Sequence, residues 1–174
     1  MSESKPPRTP YPPDVPEDAE PVTELGDLVD ALVDDADWSN RRSPKLELQR
    51  VELRQCRLTG VELAESSLVD VTFDACRIDL AGIRHARLER VHFRDCRLEE
   101  LDLYGTRLED VVFERCTLRE AVFSGCTVER VELRDCDLTG VLGAEALRGA
   151  RMPLTDVIGN AALFASALGI EIVD

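Results

Sequence analysis

Lysine, histidine and aromatic side chains are scarce in this chain of 174 residues, which has only Lys5, Lys45, His85 and His92 and is 5% aromatic. No apolar stretch approaches the roughly 20 residues that a membrane-spanning helix needs. The N-terminus is polar and proline-rich rather than built like a secretory signal, so a cytoplasmic location is expected. There is no glycine-rich phosphate loop. No Cys-x-x-Cys or Cys/His spacing suggests zinc. His92 lies between the apolar Val91 and Phe93, and neither histidine has a nucleophile in a recognisable motif. No catalytic residue, metal site or cofactor is therefore expected, and the chain reads as a non-enzyme. The near-complete use of Arg in place of Lys is what a GC-rich, for example actinobacterial, genome produces.

What the chain has instead is a period. Every fifth residue from Leu48 to Leu138 is large and apolar, without a gap. Two residues before each lies a second, mostly smaller set that includes Val51, Cys56, Val61, Ser66 and Val71. A helix cannot use this pattern, because five steps of about 100° turn each successive residue by about 140°. A spacing of two suits a strand, where i and i+2 share a face. The remaining spacing of three demands a corner. A longer period sets the number of sides. Cys56, Cys76, Cys96, Cys116 and Cys136 are twenty apart, as are Val51, Val71, Val91, Val111 and Val131. Twenty residues make four units, so the expected object is a four-walled solenoid over residues 46–142, wound right-handed by analogy with parallel crossovers.

The outward positions agree with this register. Asp70, Arg90, Asp110 and Arg130 alternate in sign on successive coils, as do Arg54, Asp74, Arg94, Glu114 and Arg134, and Asp95, Arg115 and Asp135. Such ladders penalise a misregistered stack, although each exposed pair is worth only about 0.2–1 kcal/mol. The five twenty-spaced cysteines form an inward ladder, with Cys126 on another side, and all six read as buried, reduced space-fillers. Ser66 and Thr106, also inward, are expected to bond the backbone of their own side. Gly60, Gly105, Gly125 and Gly140 fall at corners.

The runs Cys56-Arg57-Leu58-Thr59-Gly60, Ala86-Arg87-Leu88-Glu89-Arg90 and Cys136-Asp137-Leu138-Thr139-Gly140 resemble the A-(D/N)-L-x-x unit of the pentapeptide-repeat family. The resemblance implies an all-β, right-handed quadrilateral β-helix with a C-terminal capping helix, through which members often dimerise. Some relatives bind DNA gyrase by resembling duplex DNA and protect it from quinolones. The chain departs from the family pattern at Arg57, Arg97 and His92, where Asp or Asn is usual, and its repeat lacks the loops of the Qnr-type relatives.

The ends carry the remaining expectations. Residues 1–21 read as a disordered proline-rich tail. Val22, Leu25, Leu28, Val29, Leu32 and Val33 recur at helical spacing, so residues 22–45 are expected to form a short helix, about 23–34, and an N-terminal cap with Trp38 over the tube end. After Val141 the phase slips by one, with Leu142, Leu147 and Met152 as the shifted series. A helix over about 156–168 is expected within a C-terminal cap of residues 143–174, starting at Thr155 as N-cap and ending at Gly169. Its apolar face, Val157, Ile158, Ala161, Phe164 and Leu168, is the candidate homodimer interface.

The net charge of −14 is unevenly placed. Residues 1–44 hold eleven acids and four bases, giving −7, whereas residues 45–150 hold twenty-one acids and sixteen bases, giving −5. A phosphate mimic would want a sustained negative stripe. The functional expectation is a non-catalytic interaction or scaffold protein that binds a protein partner and neither nucleic acid nor membrane. A gyrase-binding DNA mimic is the first alternative and a thiol-based redox sensor the second.

Overall fold

The computed structural model describes residues 5–17 and 19–173. Six parallel strands stack in chain order: β1 (Leu28–Asp34), β2 (Glu47–Arg54), β3 (Ser67–Asp74), β4 (Arg87–Arg94), β5 (Arg107–Glu114) and β6 (Thr127–Arg134). Every pairing joins residues twenty apart, such as Val51 with Val71 and Phe73 with Phe93. Two further walls are marked by isolated parallel bridges with the same step, Arg57 with Arg77 and Glu62 with Gly82. The architecture is a β-solenoid of about five turns.

The four corners follow from backbone geometry. Around one coil, Arg50, Gln55, Gly60 and Glu65 have φ of 51°, 54°, 69° and 60°, in the left-handed region. Among the described residues, nineteen corner residues in this region are not glycine. A lone left-handed L-residue is unfavourable by about 1–2 kcal/mol. The compensation is that each corner frees backbone groups to bond the coils above and below. Gln55 N–H donates to Asp74 O (2.9 Å), Ala75 N–H to Arg94 O (2.9 Å) and Asp95 N–H to Glu114 O (3.0 Å).

The core is the inside of the tube. Leu53, Phe73, Phe93, Phe113 and Leu133 stack in one column, with Phe73–Phe93 and Phe93–Phe113 ring centroids 4.8 and 5.0 Å apart and nearly parallel. Each fully buried side chain of this size contributes about 1.5–3 kcal/mol. Ser66 and Thr106 do turn inward, but they bond the coil before rather than their own side. Ser66 Oγ accepts from Leu46 N–H at 2.9 Å, and the Thr106 hydroxyl donates to Ile83 O at 2.5 Å. With the walls stacked in register, the nearest free backbone groups belong to the neighbouring coil.

Both ends differ from the sequence reading. The segment expected as a helix over 23–34 contains strand β1, paired to β2 through Leu28–Leu48 and Val33–Leu53. The unpaired edge of β2 offers a row of backbone partners, which outweighs a weak helical pattern interrupted by Gly26. The repeat therefore begins some eighteen residues before Leu46, and Ala36-Asp37-Trp38 is part of it. Trp38 is buried, and its indole N–H donates to Thr23 O at 2.9 Å. Part of the proline-rich segment also departs from the disordered reading, for Arg8, Tyr11 and Asp14 bond side chains on the outside of the rod. Met1 to Ser4 and Asp18, part of that expected tail, lie outside the described residues.

At the far end the phase slip falls one residue later than expected. Leu142 stays in the twenty-residue register, opposite Val122, and its side chain is 58% exposed. The slip occurs at Gly143, which has φ 74° and whose missing Cβ would lie 2.3 Å from Ser124 N. A 3₁₀ turn, Ala144–Leu147, follows, and Arg151 then pairs with Glu132 at a step of nineteen. The single expected helix is two short ones, α1 (Leu154–Gly159) and α2 (Ala161–Ala167), broken at Asn160. Pro153, not Thr155, is the N-cap of α1, with an extended backbone of φ −57° and ψ 146° and no side-chain capping bond. Gly169, with φ 72°, ends α2 in a Schellman arrangement: Ile170 N–H donates to Ala165 O and Gly169 N–H to Ser166 O.

Candidate interaction surfaces

The inward cysteines are the most reactive residue type in the chain, and the walls neutralise most of them. Cys56, Cys76, Cys96 and Cys116 are buried, while Cys126 and Cys136 are half-buried. The last two, both in the final coil, are less enclosed than the sequence suggests. Each ladder thiol donates to carbonyls at its own corner and in the previous coil. Cys96 Sγ, for instance, reaches Arg94 O at 3.2 Å and Phe73 O at 3.4 Å. Burial pushes the Cys126 thiol up to about 11. A thiol held protonated in this way is a poor nucleophile.

The outer surface is organised by charge. At one corner, Asp30–Arg50, Asp70–Arg90 and Asp110–Arg130 form paired forks between adjacent coils. Arg90 Nε and Nη2 donate to Asp70 at 2.6 and 2.9 Å, and Arg130 does the same to Asp110 at 2.6 and 3.0 Å. At the ends of β3 and β4 Arg94 reaches Asp74, and at the corner that follows Arg115 reaches Asp95. Other alternating positions pair along their own coil, Arg54 with Glu52, Arg134 with Glu132 and Glu114 with Arg115, while Glu114 also reaches His92 in the coil before. Like charges also stack, as in Arg87 over Arg107 and Glu89 over Glu109, and there the lateral Arg87–Glu89 and Arg107–Glu109 pairs compensate.

The first corner column carries a second layer that sequence reasoning missed. Arg8 N–H donates to Asp110 Oδ1 (3.0 Å), Tyr11 N–H to Asp70 Oδ1 (3.1 Å) and Asp14 N–H to Asp30 Oδ1 (3.2 Å). The Arg8 guanidinium also bonds Asp110, and the Arg90 guanidinium lies 5.7 Å from the centroid of the Tyr11 ring. Arg50 and the Asp14 N–H hold the Asp30 carboxyl down at about 2. Burial raises the Asp70 and Asp110 carboxyls, but Arg90 with the Tyr11 N–H, and Arg130 with Arg8, outweigh it and leave both below the usual range. The available signal was numerical: the three aspartates are forty apart, while the donors that meet them are three apart.

Two other surfaces are open. A groove of about 570 Å³ runs along one wall between the exposed Leu80 and Leu142, with Glu100, Asp102, Glu120 and Val122 beside it. At the C-terminal end, Phe164 packs against the core with Leu163 and Ala167, whereas Val157, Ile158, Ala161 and Leu168 face outward. Of the candidate dimer residues, the cap itself thus uses only Phe164. Among the described residues no helix is long and apolar enough to cross a membrane.

Comparison with known proteins agrees with this architecture. The family model described as "Pentapeptide repeat region" matches residues 46–123 and 86–143. No curated protein sequence matches the chain. Among solved structures, QnrB1, a plasmid-mediated fluoroquinolone resistance protein, is 21% identical over 82% of this chain and 87% of that one, with a TM-score of 0.35. A pentapeptide repeat protein of the Arabidopsis thaliana thylakoid lumen is 18% identical over 60% and 68%, with a TM-score of 0.34. HetL, involved in heterocyst differentiation regulation in the cyanobacterium Nostoc, is 14% identical over 70% and 86%, with a TM-score of 0.24. With its twenty-residue coils, its inward ladders and a family match over more than half its length, the chain belongs to the pentapeptide-repeat family.

Proposed function

We propose that this chain is a non-catalytic interaction protein of the cytoplasm, a stiff four-walled scaffold whose outer surfaces engage a protein partner. One observation carries the reading: the side chains are already committed to building the rod. Inward residues are used in packing, and the titratable groups outside are largely matched in pairs between or along coils. The surfaces left over are the long walls and the apolar C-terminal end. Through Val157, Ile158, Ala161 and Leu168, that end is the proposed seat of a homodimer.

A second reading is a DNA-mimicking regulator of DNA gyrase. The net charge of −14 favours it, but the arginine forks divide the acidic rod into neutral pairs, whereas a phosphate mimic needs a continuous field. A thiol sensor fits less well with four of the six thiols buried.

The test is affinity capture from native cytosol with the full chain, alongside a gyrase supercoiling assay with and without a fluoroquinolone. The scaffold reading expects one protein retained in stoichiometric amount and no change in supercoiling. Retention of no protein would contradict it. A stoichiometric effect on supercoiling would replace it with the gyrase reading.

A further inference from the structure

The segment from Arg8 to Asp14 is seated on the rod as a ligand would be. It runs from the fifth coil back to the first, against the stacking direction, touching Asp110, then Asp70, then Asp30. Its pitch fits the rod. A proline-rich extended chain rises about 3.1 Å per residue, so three residues advance about 9.3 Å, and two coils at about 4.8 Å advance about 9.6 Å. Proline sharpens the match. Within residues 10–14, Pro10, Pro12 and Pro13 have no N–H, and the two remaining donors, Tyr11 and Asp14, are the two that bond aspartates. The contacts also have an end-to-end polarity, since the Arg8 guanidinium grips Asp110 and Glu109 at one end while Arg90 faces the Tyr11 ring in the middle. Asp70 and Asp110 are buried, yet the Tyr11 side chain above them is 64% exposed, so the segment lies on the rail rather than within the core.

We propose that the Asp30–Asp70–Asp110 rail is a binding site for extended, proline-rich peptide segments, and that residues 8–14 occupy it within the chain as a built-in competitor. The recognised chemistry is an Arg, a backbone N–H three residues on carried by an aromatic residue, then prolines that keep the chain extended. Such a ligand loses little conformational freedom on binding, because proline has already restricted it. This inference rests on reading the chain as an interaction protein, and it names one face and one ligand class for that role.

The test uses the full chain and a fluorescent peptide with the sequence of residues 5–15. In the Arg8→Glu, Tyr11→Ala double variant the tethered segment should leave the rail, and the peptide should bind. Wild-type protein should bind it at least about tenfold more weakly, because the tethered segment competes at high effective concentration. A peptide carrying Arg8→Glu should not bind the variant. Adding Asp70→Asn and Asp110→Asn to the variant should abolish binding with an unchanged circular dichroism spectrum. If these substitutions unfold the protein, the Arg8→Glu peptide alone decides specificity. Absence of peptide binding to the double variant, or equal binding of both peptides, would overturn the proposal. Partner capture through another face would be untouched by that result, so the failure of this site and the failure of the scaffold reading are distinguishable.

Discussion

Phe93 lies at the middle of the aromatic column, fully buried between Phe73 and Phe113. A side chain there has no room to relax, since the coils above and below fix its neighbours at strand spacing. Phe93→Ala should therefore destabilise the protein by about 3–5 kcal/mol in urea denaturation. Phe93→Leu should lose clearly less than Phe93→Ala, because leucine leaves a smaller cavity and already fills the same column at Leu53 and Leu133. Equal losses for the two would mean that shape at this position is irrelevant and the column is not continuous. Residue-level identity was largely legible from spacing. The inward set, the cysteine ladder and the corner glycines follow from counting by five and twenty. Leu142 was misjudged because an apolar residue at a phase slip fits either register, and only the close approach of Gly143 to Ser124 decides between them.

At the scale of elements, the middle of the chain was readable and the ends were not. An internal coil is specified by neighbours on both sides, and so its pattern repeats. A terminal element answers to one neighbour and to solvent. Leu28–Asp34 carried both a helical and a repeat-like spacing, and the open edge of β2 selected the strand. Residues 8–14 have no periodic apolar signal at all, and their placement depends on aspartates between 16 and 102 residues away. Ile158 in α1 and Leu168, just past α2, stand in solvent at 66% and 75% exposure, which motivates the proposed homodimer. Sedimentation velocity at micromolar concentration should show a dimer for the wild-type chain and a monomer for Ile158→Asp, both with native circular dichroism. A monomeric wild type, or a dimer unaffected by Ile158→Asp, would remove the helices as the interface.

For the whole molecule, one geometric rule links the core, the surface and the proposed sites. A constant step of twenty residues stacks Val71, Val91 and Val111 inside the tube, and it also stacks Asp70 beneath Arg90 outside it. The same step sets the two-coil spacing that a three-residue proline-rich pitch can follow. Function was less legible than fold because packing and pairing account for nearly every conspicuous residue. What remains for recognition is the arrangement of whole faces, which a linear pattern does not display. The most direct check is a methyl–methyl NOE spectrum of the full chain with labelled valines. Stacked coils predict cross-peaks linking Val71 to Val91 and Val91 to Val111, with Val112, on the outer face, showing none to Val91 or Val131. Absence of the twenty-residue cross-peaks, or connections at helical spacing instead, would contradict the solenoid and everything derived from it.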